Sequence, residues 1–331
     1  MKRLLVIILL LLPAVGFAQY VPNSSQNFHY APLYNPAFSG IENFVDFKFG
    51  YRYQWTGFKE NAPQFGNISV NFRVKQPLDL RMNGPRPSRS DFSKIIPRRK
   101  LSIHGLGFNA YSERMGPIIR SGGGAHFALH MPVTEKVFVS GGIGAMIEST
   151  RIDQSELDWG PHADLKDPVY EKIMAGGANH TGIWTRVGLL VYGDNFYVGA
   201  TVYPYDTELK TSDIAFNSAY YSTGVQAGFS VPLNEDFILK PSVWGLRSTT
   251  GKWIIDYSAK FYMQERVWFG LTYRDVKSGV LNGGFDLTEI FSASYSYEFT
   301  LGKLRTFSGS THELVLSFRF KNLRQVNQRT W

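Results

Sequence analysis

Between residues 45 and 53 the chain alternates. Val45, Phe47, Phe49, Tyr51 and Tyr53 fall on one face, and Asp46, Lys48, Gly50 and Arg52 on the other. The same period of two returns at Ile68, Val70, Phe72 and Val74 against Ser69, Asn71, Arg73 and Lys75. It is cleanest at Phe291, Ala293, Tyr295, Tyr297 and Phe299 against Ser292, Ser294, Ser296 and Glu298. Near the end Leu314, Leu316, Phe318 and Phe320 oppose Glu313, Ser317, Arg319 and Lys321. Successive side chains of a strand point to opposite faces, so each run predicts a strand with one apolar and one polar side.

Strands of soluble sandwiches usually run about 5–6 residues. Runs of about ten, charged on one side, match strands that cross a bilayer at a tilt. Fourteen such runs can be marked, from 43–54 to 311–321. The predicted fold is therefore all-β: a transmembrane antiparallel β-barrel of the outer membrane with about 14 strands. An even count closes the barrel without an unpaired edge in lipid and puts both ends of the chain on the periplasmic side. On that parity the connections at 131–136, 193–195, 232–236, 264–266 and 287–289 are short periplasmic turns, and 151–179 faces outward. The segment 77–99 is the exception, a long insertion on the short-turn side. Within the wall, an arginine at Tyr295 would face lipid, whereas one at Ser294 would face a polar lumen and is expected to be milder.

Composition agrees with this picture. Aromatic residues make up 15% of the 331 residues and glycine occupies 32 positions, a pairing that suits packed strands. Lys2 and Arg3, the apolar run Leu4–Leu12 and Gly16-Phe17-Ala18 read as a signal peptide over 1–18, cleaved before Gln19. That run is too short to span a bilayer, and no later stretch approaches 18 apolar residues. The chain has no cysteine, which removes disulfides and thiolate metal sites. The formal charge is +8, and much of the excess lies between Arg73 and Lys100, where nine basic residues face Asp79 and Asp91. Such a segment binds nucleic acid or an acidic partner by charge, or is simply solvated. Aromatic interleaving is sparse, and nucleic acid is not expected as a partner of an exported barrel.

Candidate chemistry is thin. His126 and His130 share a strand face but lie about 13 Å apart along it, so no metal is expected. Ser310, His312 and Glu313 contain the residue types of a triad, yet sequential residues on a strand cannot converge as one. Gly122-Gly123-Gly124 and Gly141-Gly142-x-Gly144 lie within strands and read as close packing or bends, not as a phosphate loop. No catalytic residue and no cofactor are expected. Trp184, Arg186, Trp244, Trp268 and Arg274 point inward and would fill a lumen.

Two blocks narrow the reading. "YAPLYNPAFSGIEN" (30–43) and "YRYQWTGFKENAPQ" (51–64) carry Leu33 to Gly40, then Arg52, Gln54, Trp55 and Gly57, then Ala62-Pro63-Gln64. The end, "SYSYEFTLGKLRTFSGSTHELVLSFRF", adds Gly309, His312 and Glu313. This pattern resembles the PorP/SprF family of the type IX secretion system of Bacteroidota, over about residues 28–321. Its signature positions here are Asn35, Pro36, Gly40, Arg52, Gln54, Trp55, Gly57, Gly309, His312 and Glu313. The 77–99 insertion and the eleven residues beyond Phe320 depart from the pattern.

The resemblance implies an outer-membrane component that supports secretion and surface anchoring of adhesin- or gliding-type cargo carrying a C-terminal sorting domain. Cargo, periplasmic secretion components and outer-membrane lipid are then the partners, with Arg81, Arg86, Arg89, Lys94, Arg98 and Arg99 a candidate periplasmic contact. The rival is an outer-membrane porin or hydrophobic-substrate channel. The chain divides into the signal 1–18, an N-terminal segment 19–42, the barrel 43–321 and a tail 322–331. In 19–42, Asn35-Pro36 reads as a rigid turn. It either aims the first strand into the wall from the periplasm, or belongs to a segment that plugs the lumen.

Overall fold

A computed structural model describes residues 24–42, 44–74, 102–134, 136–157, 166–175, 179–210, 221–248, 251–264, 266–275, 277–288, 290–302 and 305–320. The strands are β1 (Val45–Tyr53), β2 (Gln64–Val74), β3 (Ile103–Met115), β4 (Ile118–Pro132), β5 (Phe138–Ile152), β6 (His180–Tyr192), β7 (Phe196–Lys210), β8 (Tyr221–Phe229), β9 (Val231–Pro232), β10 (Phe237–Ser248), β11 (Trp253–Met263), β12 (Val267–Arg274), β13 (Ser278–Asp286), β14 (Phe291–Thr300) and β15 (Ser310–Phe320). All pair antiparallel with sequence neighbours, and β1 pairs with β15 from Val45 opposite Phe320 to Tyr53 opposite His312. The result is a closed barrel of fourteen long strands. The two-residue β9 is an extra: the predicted run 220–233 breaks at Ser230, whose N–H bonds to Asn195 O at 2.7 Å.

Alternation decides which way each side chain points. Leu189, Phe269 and Leu271 on the outer wall are 60–63% exposed, whereas Asp46, Lys48 and Arg52 on the inner wall are buried. One end of the barrel carries the turns after β4, β6, β11 and β13, the first residue of β1 and the last of β15. We term it the short-turn end. The other carries the 54–63, 153–179 and 301–309 connections but also tight turns after β3 and β12, so the asymmetry in length is partial. Among the described residues no helix is long and apolar enough to cross a membrane.

The lumen is not empty. Every residue from Ser24 to Glu42 is buried, in three short helical turns at Asn27–Tyr30, Ala31–Tyr34 and Pro36–Phe38. The Asn35-Pro36 turn therefore lies inside the barrel. It does not steer β1 from outside.

Candidate functional site

The plug has two chemically different parts. Its body is apolar: Tyr30, Ala31, Leu33, Tyr34, Ala37, Phe38 and Ile41 pack with Leu190, Tyr192, Tyr197, Trp244 and Val315 of the wall in one buried cluster. Phe38 meets Tyr197 edge-on at 5.6 Å and stacks on Trp244 at 6.2 Å, within the range where aromatic pairs attract. Trp244 keeps its N–H satisfied by donating to Tyr197 Oη at 3.0 Å.

Backbone polar groups of the body are met by the wall. Arg186 donates to Leu33 O, and Tyr203 Oη donates to Tyr34 O at 3.0 Å. Ser140 Oγ donates to Ala37 O, and His130 Nε2 to Ser39 O, each at 2.8 Å. Asn35 is the pivot. Its Oδ1 accepts from Ala37 N at 3.0 Å, which caps the Pro36–Phe38 turn, and its Nδ2 donates to Gln226 Oε1 at 3.1 Å and Leu189 O at 3.2 Å. A fully buried amide must find such partners, because each one left unmade costs about 1–3 kcal/mol. Pro36 follows and fixes the turn.

The wall leaves room for this segment by omitting side chains. A Cβ at Gly188 would overlap Asn35 Oδ1, and one at Gly142 would overlap Ala37 N. Gly142 was expected to serve packing or a bend; what it packs against is the plug. A Cβ at Gly141, one residue earlier, would meet only Leu189 Cδ2 at 4.0 Å.

The tip, Ser24–Asn27, is polar and sits at the other end of the lumen. Ser24 Oγ donates to Glu313 Oε1 at 2.5 Å, and Ser25 N to Glu313 Oε2 at 2.7 Å. Ser25 Oγ donates to Glu298 Oε2 at 2.6 Å, and Asn27 Nδ2 to Asp256 Oδ2 at 2.7 Å. Arg274 donates to Ser24 O at 2.9 Å while forking onto Asp256 at 2.7 and 2.8 Å. Arg52 Nη2 pairs with Glu298 Oε2 at 3.0 Å. These groups lie within a few residues of the long-loop ends of β1, β11, β12, β14 and β15. The first described residue thus stands at the long-loop end of the lumen, opposite the end where β1 begins. Of the two readings of this segment, periplasmic or plug, the placement of Ser24–Glu42 fits the plug.

The signature positions split accordingly. Asn35, Pro36 and Gly40 belong to the plug, and Arg52 and Glu313 hold its tip or the carboxylates beside it. Gln54, Trp55, Gly57 and Gly309 form the rim. There Trp55 adopts φ 55°, Gly57 packs against the 307–309 backbone, Ser310 N donates to Thr56 Oγ1 at 3.1 Å and Trp55 N to Thr311 Oγ1 at 3.1 Å. His312 faces outward, 2.9 Å from Ser310 Oγ and 2.5 Å from Tyr295 Oη, while Glu313 faces the lumen. The triad-like trio does not converge. His126 contacts Asn109 at 2.5 Å, and His130 lies between Ser39 and Tyr192. Arg81, Arg86, Arg89, Lys94, Arg98 and Arg99 lie outside the described residues. Ser24, Ser25, Asn27, Asp256 and Glu298 were not singled out by sequence. The signal was there in part, as inward charges on β11 and β14.

A family model described as the type IX secretion system membrane protein PorP/SprF matches residues 16–318. Among solved structures, the toluene transporter TodX of Pseudomonas putida is 10% identical with a TM-score of 0.48, covering 92% of this chain and 95% of that one. The KdgM porin is 8% identical (TM-score 0.37, covering 83% and 99%), and the outer membrane phospholipase A of Escherichia coli is 9% identical (TM-score 0.37, covering 88% and 92%). No curated protein sequence matches. An outer-membrane β-barrel with nearly its whole length inside one family model leaves a single assignment: the chain belongs to the PorP/SprF family of type IX secretion system membrane proteins.

Proposed function

We propose that this barrel is a holding component of type IX secretion. It supports the export and surface anchoring of specific cargo that carries a C-terminal sorting domain, and it performs no catalysis. The supporting observation is the filled lumen. A porin needs a continuous aqueous path, whereas residues 24–42 are buried throughout and tied to the wall on several sides. What such a barrel offers partners is its two ends. The rim at Trp55 and Gly309 and the tip of the plug face one side, and the basic 77–99 segment joins β2 to β3 at the other. We place adhesin- or gliding-type cargo at the first, and an acidic face of a periplasmic secretion component at Arg81, Arg86, Arg89, Lys94, Arg98 and Arg99.

Planar-bilayer conductance and affinity capture test this together. The wild-type barrel is expected to show no stable large pore and to retain a sorting-domain protein from detergent extracts. A stable open pore without cargo would replace this reading with a porin or hydrophobic-substrate channel.

A further inference from the structure

The tip of the plug sits in a site whose chemistry suits a different occupant better. Two guanidinium groups, Arg52 and Arg274, stand against three carboxylates, Asp256, Glu298 and Glu313, which leaves one negative charge. Arg274 is shared between Asp256 and Glu298, and Arg52 goes to Glu298. Glu313 instead has its two carboxylate oxygens occupied by Ser24 Oγ and Ser25 N, both neutral donors. Ser24, Ser25, Gln26 and Asn27 bring no charge at all.

Attachment of the plug is also uneven. From Tyr30 to Ile41 it is held by buried apolar packing and by a fit to side-chain-free positions in the wall. Ser24 and Ser25 are held by hydrogen bonds, each worth about 0.5–1.5 kcal/mol net, or 1.5–3 when the partner is charged. The tip can therefore leave while the body stays. The wall charges it would abandon remain largely paired with one another.

We propose that the cluster of Arg52, Asp256, Arg274, Glu298 and Glu313 is a peptide-binding site, occupied in the resting barrel by Ser24–Asn27. Its partner is an extended, lysine-bearing, hydroxyl- and amide-rich segment that enters through the long-loop opening and exchanges with the tip. The lysine ammonium replaces the Ser24 hydroxyl at Glu313, while serine or asparagine side chains reproduce the bonds to Glu298 and Asp256. This rests on the holding reading above and names a contact for it.

The test uses the full-length protein in detergent and two acetylated fluorescent peptides. One has the sequence of residues 21–28, and the other carries Ser24→Lys. In a variant with Ser24→Ala, Ser25→Ala and Asn27→Ala, the lysine peptide should bind about tenfold more tightly than the neutral one, the scale of one added charge-assisted contact. Wild-type barrel, its own tip in place, should bind both more weakly. Glu313→Gln in the variant background should abolish the preference. Should the triple variant fail to fold, Ser25→Ala alone serves with the same peptides. No binding to a folded variant, or a preference that survives Glu313→Gln, overturns the proposal. Peptide binding intact with no cargo captured would instead sink the holding reading and leave this site standing.

Discussion

Ser294 and Tyr295 are adjacent on β14, yet they meet different surroundings. Tyr295 is 47% exposed on the outer wall, as alternation predicts. Ser294 faces inward, also as predicted, but its Oγ lies 2.8 Å from Gln26 Oε1 and 3.0 Å from His29 Nε2. The expected polar lumen is occupied there by Gln26 and His29, so an arginine at Ser294 spares the lipid-facing wall but has to displace the plug. Tyr295→Arg should impair insertion, because a lipid-facing arginine costs about 2–4 kcal/mol near the midplane. Ser294→Arg should let the barrel insert but push the plug aside. Heat-modifiability on gels and bilayer conductance separate the two: low folded yield for the first, folded but leaky barrel for the second. Equal yields and a sealed Ser294→Arg barrel would show that the lumen has slack. Facing was legible because a period of two is a property of each strand alone. The contents of the lumen were not, because Gln26 and His29 lie about 270 residues away in sequence and carry no period.

At the scale of elements, strands announced themselves and the N-terminal segment did not. Residues 24–42 hold apolar and polar positions in no regular order, since their neighbours are set by the surrounding wall and not by a helix or sheet period. Asn35-Pro36 was readable as a turn, but a turn looks the same in a lumen as at a barrel mouth. The counterpart lay in the wall: Gly142 and Gly188 read as close packing with no indication of what packs. The basic segment 77–99 lies outside the described residues, and its role is a proposal of charge alone. It holds six basic residues against Asp79 and Asp91. Replacing it with an Asn-Gly turn, which suits a two-residue hairpin, should preserve the folded barrel and weaken cargo display. A docking contact of that kind is screened at an ionic strength of about 0.15 M, where charges act over about 8 Å. Capture of the periplasmic partner should therefore fall as salt is raised. Unchanged display with a normal barrel would reduce the segment to a solvated insertion, and loss of the barrel would make it structural.

For the whole molecule, closure imposes a direction. β1 begins and β15 ends at the short-turn end, and the plug runs from there up the lumen to the carboxylates of Glu298 and Glu313. The wall closes through the β1–β15 pairing, so the plug lies inside a ring sealed by the two ends of the strand series. Strand count and antiparallel order were legible from the sequence; this threading was not, since it depends on contacts between the two ends of the chain. Outer-membrane barrels place short turns in the periplasm and longer loops outside. On that rule we expect the Ser24–Glu313 contacts near the cell surface and the β2–β3 connection on the periplasmic side. Single cysteines test it cleanly, as the native chain has none. Ser155 lies in an exposed turn of the 153–179 connection, its N–H and hydroxyl both bonded to Asp153, so Ser155→Cys presents an accessible thiol. A membrane-impermeant maleimide should label Ser155→Cys on intact cells and Ser88→Cys only after the outer membrane is opened. Reversed labelling would invert the barrel, carrying the tip of the plug to the periplasm and the proposed cargo site with it.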